Sequence, residues 1–294
     1  MNPQRQRTLS RVAGVTLALA LLIMPAPVQA APDSELWAYW EAHDPASTET
    51  VDHSAWEQIL VKHVFPGDDS INRLAYDNVL FYDRSALDKY VDSLAAVAVT
   101  KLNRDEQMAY WFNLYNALTV RVVLEAYPVL SIRSIDISPG LFSDGPWGKA
   151  LVEVEGQALS LDDIEHRILR PIWRDPRIHY AVSCAALGCP NIGTGAFDAG
   201  KLEKYLDYSA RAYINHPRAV RVKSGALILS SLYEWYAEDF GGSAEALLRH
   251  LAAYADPSLA ATLSATTTIS GYKYDWALYD VSPSISDRLT KRGS

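Results

Sequence analysis

The stretch Asn103-Arg-Asp-Glu-Gln-Met-Ala-Tyr-Trp-Phe-Asn-Leu-Tyr-Asn-Ala117 predicts the helix around which this chain folds. Asn103 followed three residues later by Glu106 has the form of a capping box, which marks a helix start. Pro128 cannot continue a helix, because its ring clashes with the preceding turn and its nitrogen carries no proton. We therefore expect one long helix from about 104 to 126.

Two asparagines interrupt the apolar residues of this helix. Asn113 and Asn116 lie three residues apart, so they share one face. Buried amides need hydrogen-bond partners. They either tie the helix to the backbone of neighbouring loops, or they orient a catalytic side chain or a substrate.

The remaining pattern predicts an α+β fold. A helical N-terminal part, 31–103, is expected to pack on a small mixed or antiparallel sheet with flanking helices, and 104–294 forms the motif-bearing core of the same single domain. Further helices are predicted at 34–42, 53–64, 85–99 (capped by Ser85), 161–170, 198–214, 233–240 and 244–255. Strands are predicted at 132–137 and 178–183, with hairpins at 149–159 and 220–229.

Residues 1–30 have the features of a signal peptide. They combine a cationic start, an apolar run over 12–24 and a small-x-small pattern that ends at Ala30. Cleavage near Ala30 would leave 31–294 as a periplasmic or secreted protein with no stable membrane insertion. An uncleaved membrane anchor is the alternative.

Composition narrows the classes of partner and cofactor. The net charge is -8 and the chain has no basic run, which argues against a nucleic-acid partner. The chain lacks the phosphate-loop, dinucleotide-binding, Gly-x-Ser-x-Gly and His-Glu-x-x-His motifs. We therefore expect no cofactor and no bound metal, and an unknown small molecule or peptide as ligand.

Cys184 and Cys189 are the only cysteines of the chain. Their C-x4-C spacing is neither that of a thioredoxin-type site nor half of a zinc ribbon. A disulfide is geometrically possible across four intervening residues, and an oxidising compartment favours it. A free nucleophilic thiol and metal ligation remain open alternatives.

If Cys184 is a nucleophile, His166 or His179 is its base and Asn116 an orienting group. His179 precedes Cys184 by five residues on the predicted strand, which points the two side chains to opposite faces. His166 lies on a different element and has no such restriction. The residues predicted to bind ligand are Asn113, Glu165, Trp147 and Cys189.

Three functions follow from these candidates. The first is a thiol-dependent hydrolase or acyltransferase that acts on peptide or amide bonds. The second is a non-catalytic binding or scaffold domain with a structural Cys184–Cys189 disulfide, and the third is a redox-responsive cysteine pair. In each case we expect the site residues to line one pocket at the open end of the sheet, roofed by the glycine- and proline-rich loop 138–147.

Several blocks of the sequence, taken in order, resemble the domain-of-unknown-function family numbered 547. The blocks are 110–117, 161–170, 175–181, Ser183-Cys184, Gly188-Cys-Pro190, 235–240 and Tyr274-Asp-Trp276. The resemblance extends over almost the whole of 31–294. It implies kinship with exported bacterial proteins and implies no particular activity.

Overall fold

The computed structural model describes residues 32–140 and 144–282. All described residues belong to one compact unit. The predicted signal peptide and its cleavage position therefore lie outside the described residues, as do 141–143 of the predicted roof loop. No helix within the described ranges is long and apolar enough to cross a membrane.

The structure confirms the predicted α+β class. Its α-helices are α1 (Ser54–His63), α2 (Phe81–Ala95), α3 (Arg104–Ala126), α4 (Arg170–Trp173), α5 (Leu202–Ile214), α6 (Leu232–Trp235), α7 (Ala244–Tyr254) and α8 (Pro257–Ala265). Its strands are β1 (Val64–Pro66), β2 (Asn72–Leu74), β3 (Val152–Val154), β4 (Gln157–Leu159), β5 (Val220–Lys223), β6 (Ala226–Ser230) and β7 (Gly271–Lys273).

Helix α3 is the central element of the fold. Eighteen of its 23 residues are buried, and they lie on all sides of the helix. A helix that is apolar all round belongs in the interior. Its start confirms the predicted cap, because Asn103 Oδ1 accepts the backbone N–H of Glu106 at 3.0 Å.

The two asparagines of α3 bind loop backbone. Asn113 donates from Nδ2 to the Phe197 carbonyl at 2.8 Å, and its Oδ1 accepts the Phe197 N–H at 2.9 Å. Asn116 donates to the Ala181 carbonyl at 2.9 Å and accepts the Ser183 N–H at 2.8 Å. Each amide thus replaces a peptide group and fixes a loop to the central helix.

The strands form three small sheets rather than the single sheet predicted. β1–β2 and β3–β4 are antiparallel pairs, and β5–β6–β7 is a mixed sheet in which β7 runs parallel to β6. Both predicted hairpins are confirmed. Their two-residue turns, Glu155-Gly156 and Ser224-Gly225, have positive φ at both positions (48° and 75°, 50° and 80°), as a type I′ turn requires.

Two predicted strands are wrong. A 3₁₀ turn, Ile132–Ser134, lies where the strand 132–137 was expected, and another, Pro176–Tyr180, where 178–183 was expected. In the second turn, Asp175 accepts the Arg177 N–H at 2.8 Å and the proline occupies the first position. Local capping of this kind prevails over the alternation of apolar and polar residues.

The Pro176–Tyr180 turn lies between two groups of buried apolar side chains. Ile178 belongs to the group that contains α3, and Tyr180 belongs to the group formed with α7 and the β5–β6 hairpin. His179 stands between these two residues and is only 2 % exposed. The turn therefore carries a titratable ring into the interior.

The helix predicted at 161–170 continues past Pro171 instead of ending before it. Over Asp163–Leu169 it widens to π geometry, and the Arg170 N–H bonds to the carbonyl of Glu165, five residues back. In an α-helix the proline ring would clash with the carbonyl four residues earlier. We attribute the wide turn to relief of that clash.

The carbonyls that this wide turn exposes are taken by the N-terminal segment. The Trp37 N–H donates to the carbonyl of Arg167, the group that a residue other than Pro171 would have bonded, at 3.0 Å. The Glu35 N–H donates to the His166 carbonyl at 3.1 Å. The extended chain before the 3₁₀ turn Ala38–Glu41 thus completes the hydrogen bonding of a helix far along the sequence.

Other helix ends also differ from the predictions. α2 begins at Phe81, so Ser85 lies inside the helix and is not its cap. α6 covers only the start of the helix predicted at 233–240, and α8 has no counterpart among the predicted helices.

We expect Asn116→Ala to lower the free energy of unfolding by about 3 kcal/mol. The change leaves the Ala181 carbonyl and the Ser183 N–H buried without a partner, at about 1–3 kcal/mol each. Urea unfolding followed by circular dichroism measures the loss. Asn78→Ala, at an exposed position, is the control and should change stability by no more than about 0.5 kcal/mol. Equal effects of the two changes would contradict the anchoring role.

Candidate functional site

A buried histidine stands between two carboxylates. His179 Nε2 lies 2.7 Å from Asp239 Oδ2, and its Nδ1 lies 3.5 Å from Glu165 Oε1. The first distance is a hydrogen bond and the second is an ion-pair contact. Because both ring nitrogens face carboxylate oxygens, the site favours the doubly protonated imidazolium.

An arginine completes this group. Arg170 donates two hydrogen bonds to Asp239, from Nε to Oδ2 at 2.6 Å and from Nη2 to Oδ1 at 3.1 Å. Its Nη1 donates to the Pro32 carbonyl at 2.8 Å, and Tyr115 donates its O–H to Glu165 Oε2 at 3.0 Å. We call Glu165, Arg170, His179 and Asp239 the ion cluster. It pairs two cations with two anions, as a buried set of charges requires.

The pKa shifts in the ion cluster follow from its pairing. Burial alone would raise the pKa of Glu165, but the influence of His166 and His179 outweighs it and lowers the pKa to about 2. Burial would also raise the pKa of Asp239, whereas its bonds to His179 and Arg170 hold it far below its ordinary value. For His179, burial lowers the pKa and the two carboxylates raise it, with a net upward shift.

His166 lies beside the ion cluster. Its Nδ1 is 3.1 Å from Arg170 Nη1, and its Nε2 is 3.5 Å from Asp162 Oδ1. Tyr236 covers both histidines, since its ring stacks on His179 with a centroid separation of 3.9 Å and lies 6.0 Å from the ring of His166. Tyr236 itself is half-buried.

The two cysteines form a disulfide, with their Cα atoms 6.1 Å apart. Cys189 is buried and Cys184 is half-buried. Cys184 Sγ lies 2.9 Å from the Tyr274 hydroxyl, which must be the donor because a disulfide sulfur carries no proton. The polar contacts of Cys184 in the described ranges are with Cys189 and Tyr274, and no histidine is among them.

Tyr274 is one of four half-buried rings that lie close together. Trp235 lies 4.7 Å from Tyr274 and 5.4 Å from Trp276, and Trp147 lies 5.8 Å from Trp276 (centroid distances). We call Trp147, Trp235, Tyr274 and Trp276 the aromatic cluster. The guanidinium of Arg133 lies over the Trp276 ring, 5.3 Å from its centroid.

The disulfide loop, 184–189, pairs with the segment that carries two of these rings, 274–279. Gly188 donates its N–H to the Asp275 carbonyl at 2.8 Å, and a Cβ on this glycine would lie only 2.8 Å from the Asp275 nitrogen. Two further backbone bonds continue the pairing, Leu187 N–H to the Ala277 carbonyl and Tyr279 N–H to the Ala185 carbonyl. The glycine is required because no side chain fits at this close approach.

The predicted site residues thus fall into separate groups. Glu165, His166 and His179 lie in or beside the ion cluster, whereas Cys184, Cys189 and Trp147 lie at the aromatic cluster and its disulfide. Asn116 binds the backbone of Ser183, directly before Cys184. The polar contacts of Asn113 are with Phe197 instead. Among the described residues, no group of three or more histidine, cysteine, aspartate or glutamate side chains is placed to hold a metal ion.

Sequence reasoning missed several members of these groups. They are Tyr115, Arg170, Trp235, Tyr236, Asp239, Tyr274 and Trp276. All of them lie inside blocks that carry the family resemblance, but no rule of sequence spacing predicts that residues of α3, α4 and the C-terminal part of the chain come together. A search for charged residues within apolar blocks would have selected Arg170 and Asp239.

These features define an α+β domain with a buried ion cluster and a disulfide-linked aromatic cluster. Over residues 99–214 the chain matches the model of the family described as Protein of unknown function, DUF547. The match is narrower than the resemblance over 31–294 expected from the sequence; Asp239 and Tyr274 lie outside it. No curated protein and no solved structure matches the chain.

We expect His179→Gln to lower the free energy of unfolding by about 3 kcal/mol near pH 6, because it removes a charged partner from a buried ion cluster. The raised pKa of His179 makes its contribution complete below the ordinary value of 6.5 and lost as the pH rises through the folded-state pKa. The difference between wild type and variant should therefore shrink toward pH 9. Urea unfolding at several pH values measures it.

The carboxylates give the opposite dependence at low pH. The contribution of ionised Glu165 to the free energy of unfolding is present above its ordinary pKa of 4.5 and is lost as the pH falls toward about 2.

His43→Gln, at an exposed position, is the matched control for His179→Gln and should change stability by no more than about 0.5 kcal/mol. A difference between wild type and His179→Gln that stays constant from pH 6 to 9 would show that His179 is not charged in the folded state.

Proposed function

We propose that this protein is an exported ligand-binding domain in which the aromatic cluster contacts the ligand. The observation that carries the proposal is a contrast in burial. Trp40, Trp56 and Trp111 are each 1 % exposed and serve the core, whereas the three indoles of the aromatic cluster gather together and keep solvent-accessible surface. Rings that combine a large apolar area with a polar edge are typical of binding surfaces.

Export is supported by two features. The disulfide fits an oxidising compartment, since thiols of cytosolic proteins are kept reduced. The cationic, apolar and small-x-small pattern of residues 1–30 is that of a signal peptide. We therefore propose a periplasmic or secreted location.

A thiol-dependent hydrolase or acyltransferase is the alternative function. It needs Cys184 as a free thiolate with a base beside it. In the structure Cys184 is bonded to Cys189 and contacts a tyrosine, while the nitrogens of His166 and His179 face charged neighbours. The geometry therefore favours binding over nucleophilic catalysis.

The chemistry of the surface favours a cationic ligand. Indole faces attract ammonium and guanidinium groups, and Arg133 already occupies such a position over Trp276. Asp275 lies between two ring-bearing residues of the aromatic cluster, and Glu234 precedes Trp235. Together with a net charge of -8, these carboxylates suit a basic peptide or a cationic small molecule.

We expect Trp276→Ala and Trp235→Ala each to weaken the binding of a lysine- and arginine-rich probe peptide about tenfold or more. A lost cation–π contact of about 1–2 kcal/mol accounts for a change of this size. Titration calorimetry measures it. The matched control is Trp173→Ala, because Trp173 also carries an arginine over its ring, Arg104 at 5.5 Å, but is not part of the aromatic cluster.

The control should change the affinity by less than about twofold, and a glutamate-rich peptide of the same length should bind weakly. Equal losses with Trp173→Ala would contradict the proposed face, as would equal binding of the two peptides.

A second measurement separates binding from thiol catalysis. We expect the native protein, purified without reductant, to resist alkylation by iodoacetamide, because both sulfurs are held in the disulfide. Mass spectrometry of the intact chain counts the added groups. Stoichiometric alkylation of Cys184 in protein that still binds or turns over a substrate would favour the hydrolase instead.

A further inference from the structure

We infer that the Cys184–Cys189 disulfide is a thiol–disulfide switch that controls the aromatic cluster, and that its electron donor is a dithiol. The control of ligand binding rests on the proposed function, whereas the coupling between the disulfide and the ring-bearing segment does not. Two parts of the chain carry the inference: the disulfide loop, 184–189, and the segment 274–279 paired with it.

The connection between sulfur and rings is direct. The Tyr274 hydroxyl donates to Cys184 Sγ at 2.9 Å, and the tyrosine ring lies 4.7 Å from both Trp235 and Trp276. The neighbouring residue, Asp275, is bonded to the Gly188 backbone. A change at the sulfurs is therefore transmitted to two of the four rings through one hydrogen bond and a short backbone pairing.

The disulfide loop is held in a conformation that it would not adopt alone. Ala185 has φ +58°, in the left-handed region that residues with a Cβ rarely occupy. Residues held there persist only where the surroundings impose the conformation, and they cluster at sites that switch. Opening the disulfide removes one of the constraints on this residue.

Access decides which sulfur reacts. Cys184 is half-buried whereas Cys189 is 3 % exposed, so an external thiolate attacks Cys184 Sγ. The S–S bond breaks, and Cys189 leaves as a thiolate that receives the Cys184 N–H, which is 2.8 Å away. A thiolate bonded by a backbone amide is a good leaving group.

The second thiol of the donor then completes the exchange. It attacks the mixed disulfide, the donor becomes a disulfide, and Cys184 and Cys189 become thiols after taking up two protons. Two electrons pass from donor to protein, so atoms and charge balance. Reoxidation by a disulfide of higher reduction potential reverses the step.

Two thiols cannot remain at bonding distance, so reduction opens the disulfide loop. There is no free space between Gly188 and the paired segment, because a single added carbon would already contact the Asp275 backbone. The paired segment must therefore shift or separate. Tyr274 and Trp276 move with it, while Trp147 and Trp235, which lie on other parts of the chain, stay behind.

Hydrogen exchange read by mass spectrometry tests the coupling without any ligand. The full chain is compared before and after treatment with dithiothreitol, used as the dithiol probe. We expect amides of 184–189 and 274–279 to exchange about tenfold faster or more after reduction, with no change in the β3–β4 hairpin. Unchanged exchange in 274–279 would overturn the inference, and so would an equal rise throughout the chain, which is the behaviour of a general staple.

Two variants sharpen this test. The Cys184→Ala/Cys189→Ala double variant should exchange like the reduced protein and should not respond to dithiothreitol. Gly188→Ala should loosen 274–279 while the disulfide is intact, because the added methyl group meets the Asp275 backbone. If Gly188→Ala leaves the exchange of 274–279 unchanged, the pairing does not transmit the change and the inference fails.

The basic probe peptide then separates regulation from binding. If oxidised protein binds the peptide and reduced protein binds it at least about tenfold more weakly, control of the ligand site is supported. If neither form binds the peptide but reduction still speeds hydrogen exchange in 274–279, the proposed function is wrong and the coupling between the disulfide and this segment is supported. Equal binding by the two forms overturns the regulatory inference while leaving the proposed function intact.

Discussion

The fold depends on a helix that is buried on every side. Because residues 106–120 of α3 are all buried, a polar side chain in this stretch is stable only if it finds a hydrogen-bond partner in the surrounding chain. Asn113 and Asn116 satisfy this requirement with loop backbone, and the loops that they fix are those before α5 and before Cys184. The hydrogen bonds of the Asn116 amide thus fix the backbone directly before the disulfide loop.

A second requirement, the pairing of buried charge, positions the ion cluster. Arg170 comes from α4, His179 comes from the Pro176–Tyr180 turn, and Asp239 comes from the chain after α6. No member could be buried alone, so the three elements must be folded together before any of them is stable there. The half-buried Tyr236 stacks over this cluster, and the next residue back along the chain, Trp235, belongs to the aromatic cluster. The charged interior and the aromatic cluster are therefore held by one short stretch of chain.

The sequence allowed the prediction of elements whose signals are local. The cap at Asn103 and the two hairpins depend on a few adjacent residues, and the structure confirms them, although the Glu106 side chain accepts the Val51 N–H instead of closing a capping box. The strand expected at 178–183 failed because a capped 3₁₀ turn uses the same alternating residues. The partners of His179 and Cys184, Asp239 and Tyr274, could not be predicted. Asp239 and Tyr274 are far away in sequence, and the three small sheets give no regular register that would bring them together.

The wide turn before Pro171 has a consequence for the order of folding. Its exposed carbonyls accept N–H groups from Glu35 and Trp37, and Arg170 binds the carbonyl of Pro32, 138 residues earlier. Contacts so distant in sequence close late, because the entropy of a long loop must be lost before they form. These hydrogen bonds of Pro32, Glu35 and Trp37 therefore cannot form until Arg170 has been synthesised. Docking of this N-terminal segment is therefore a late step of folding.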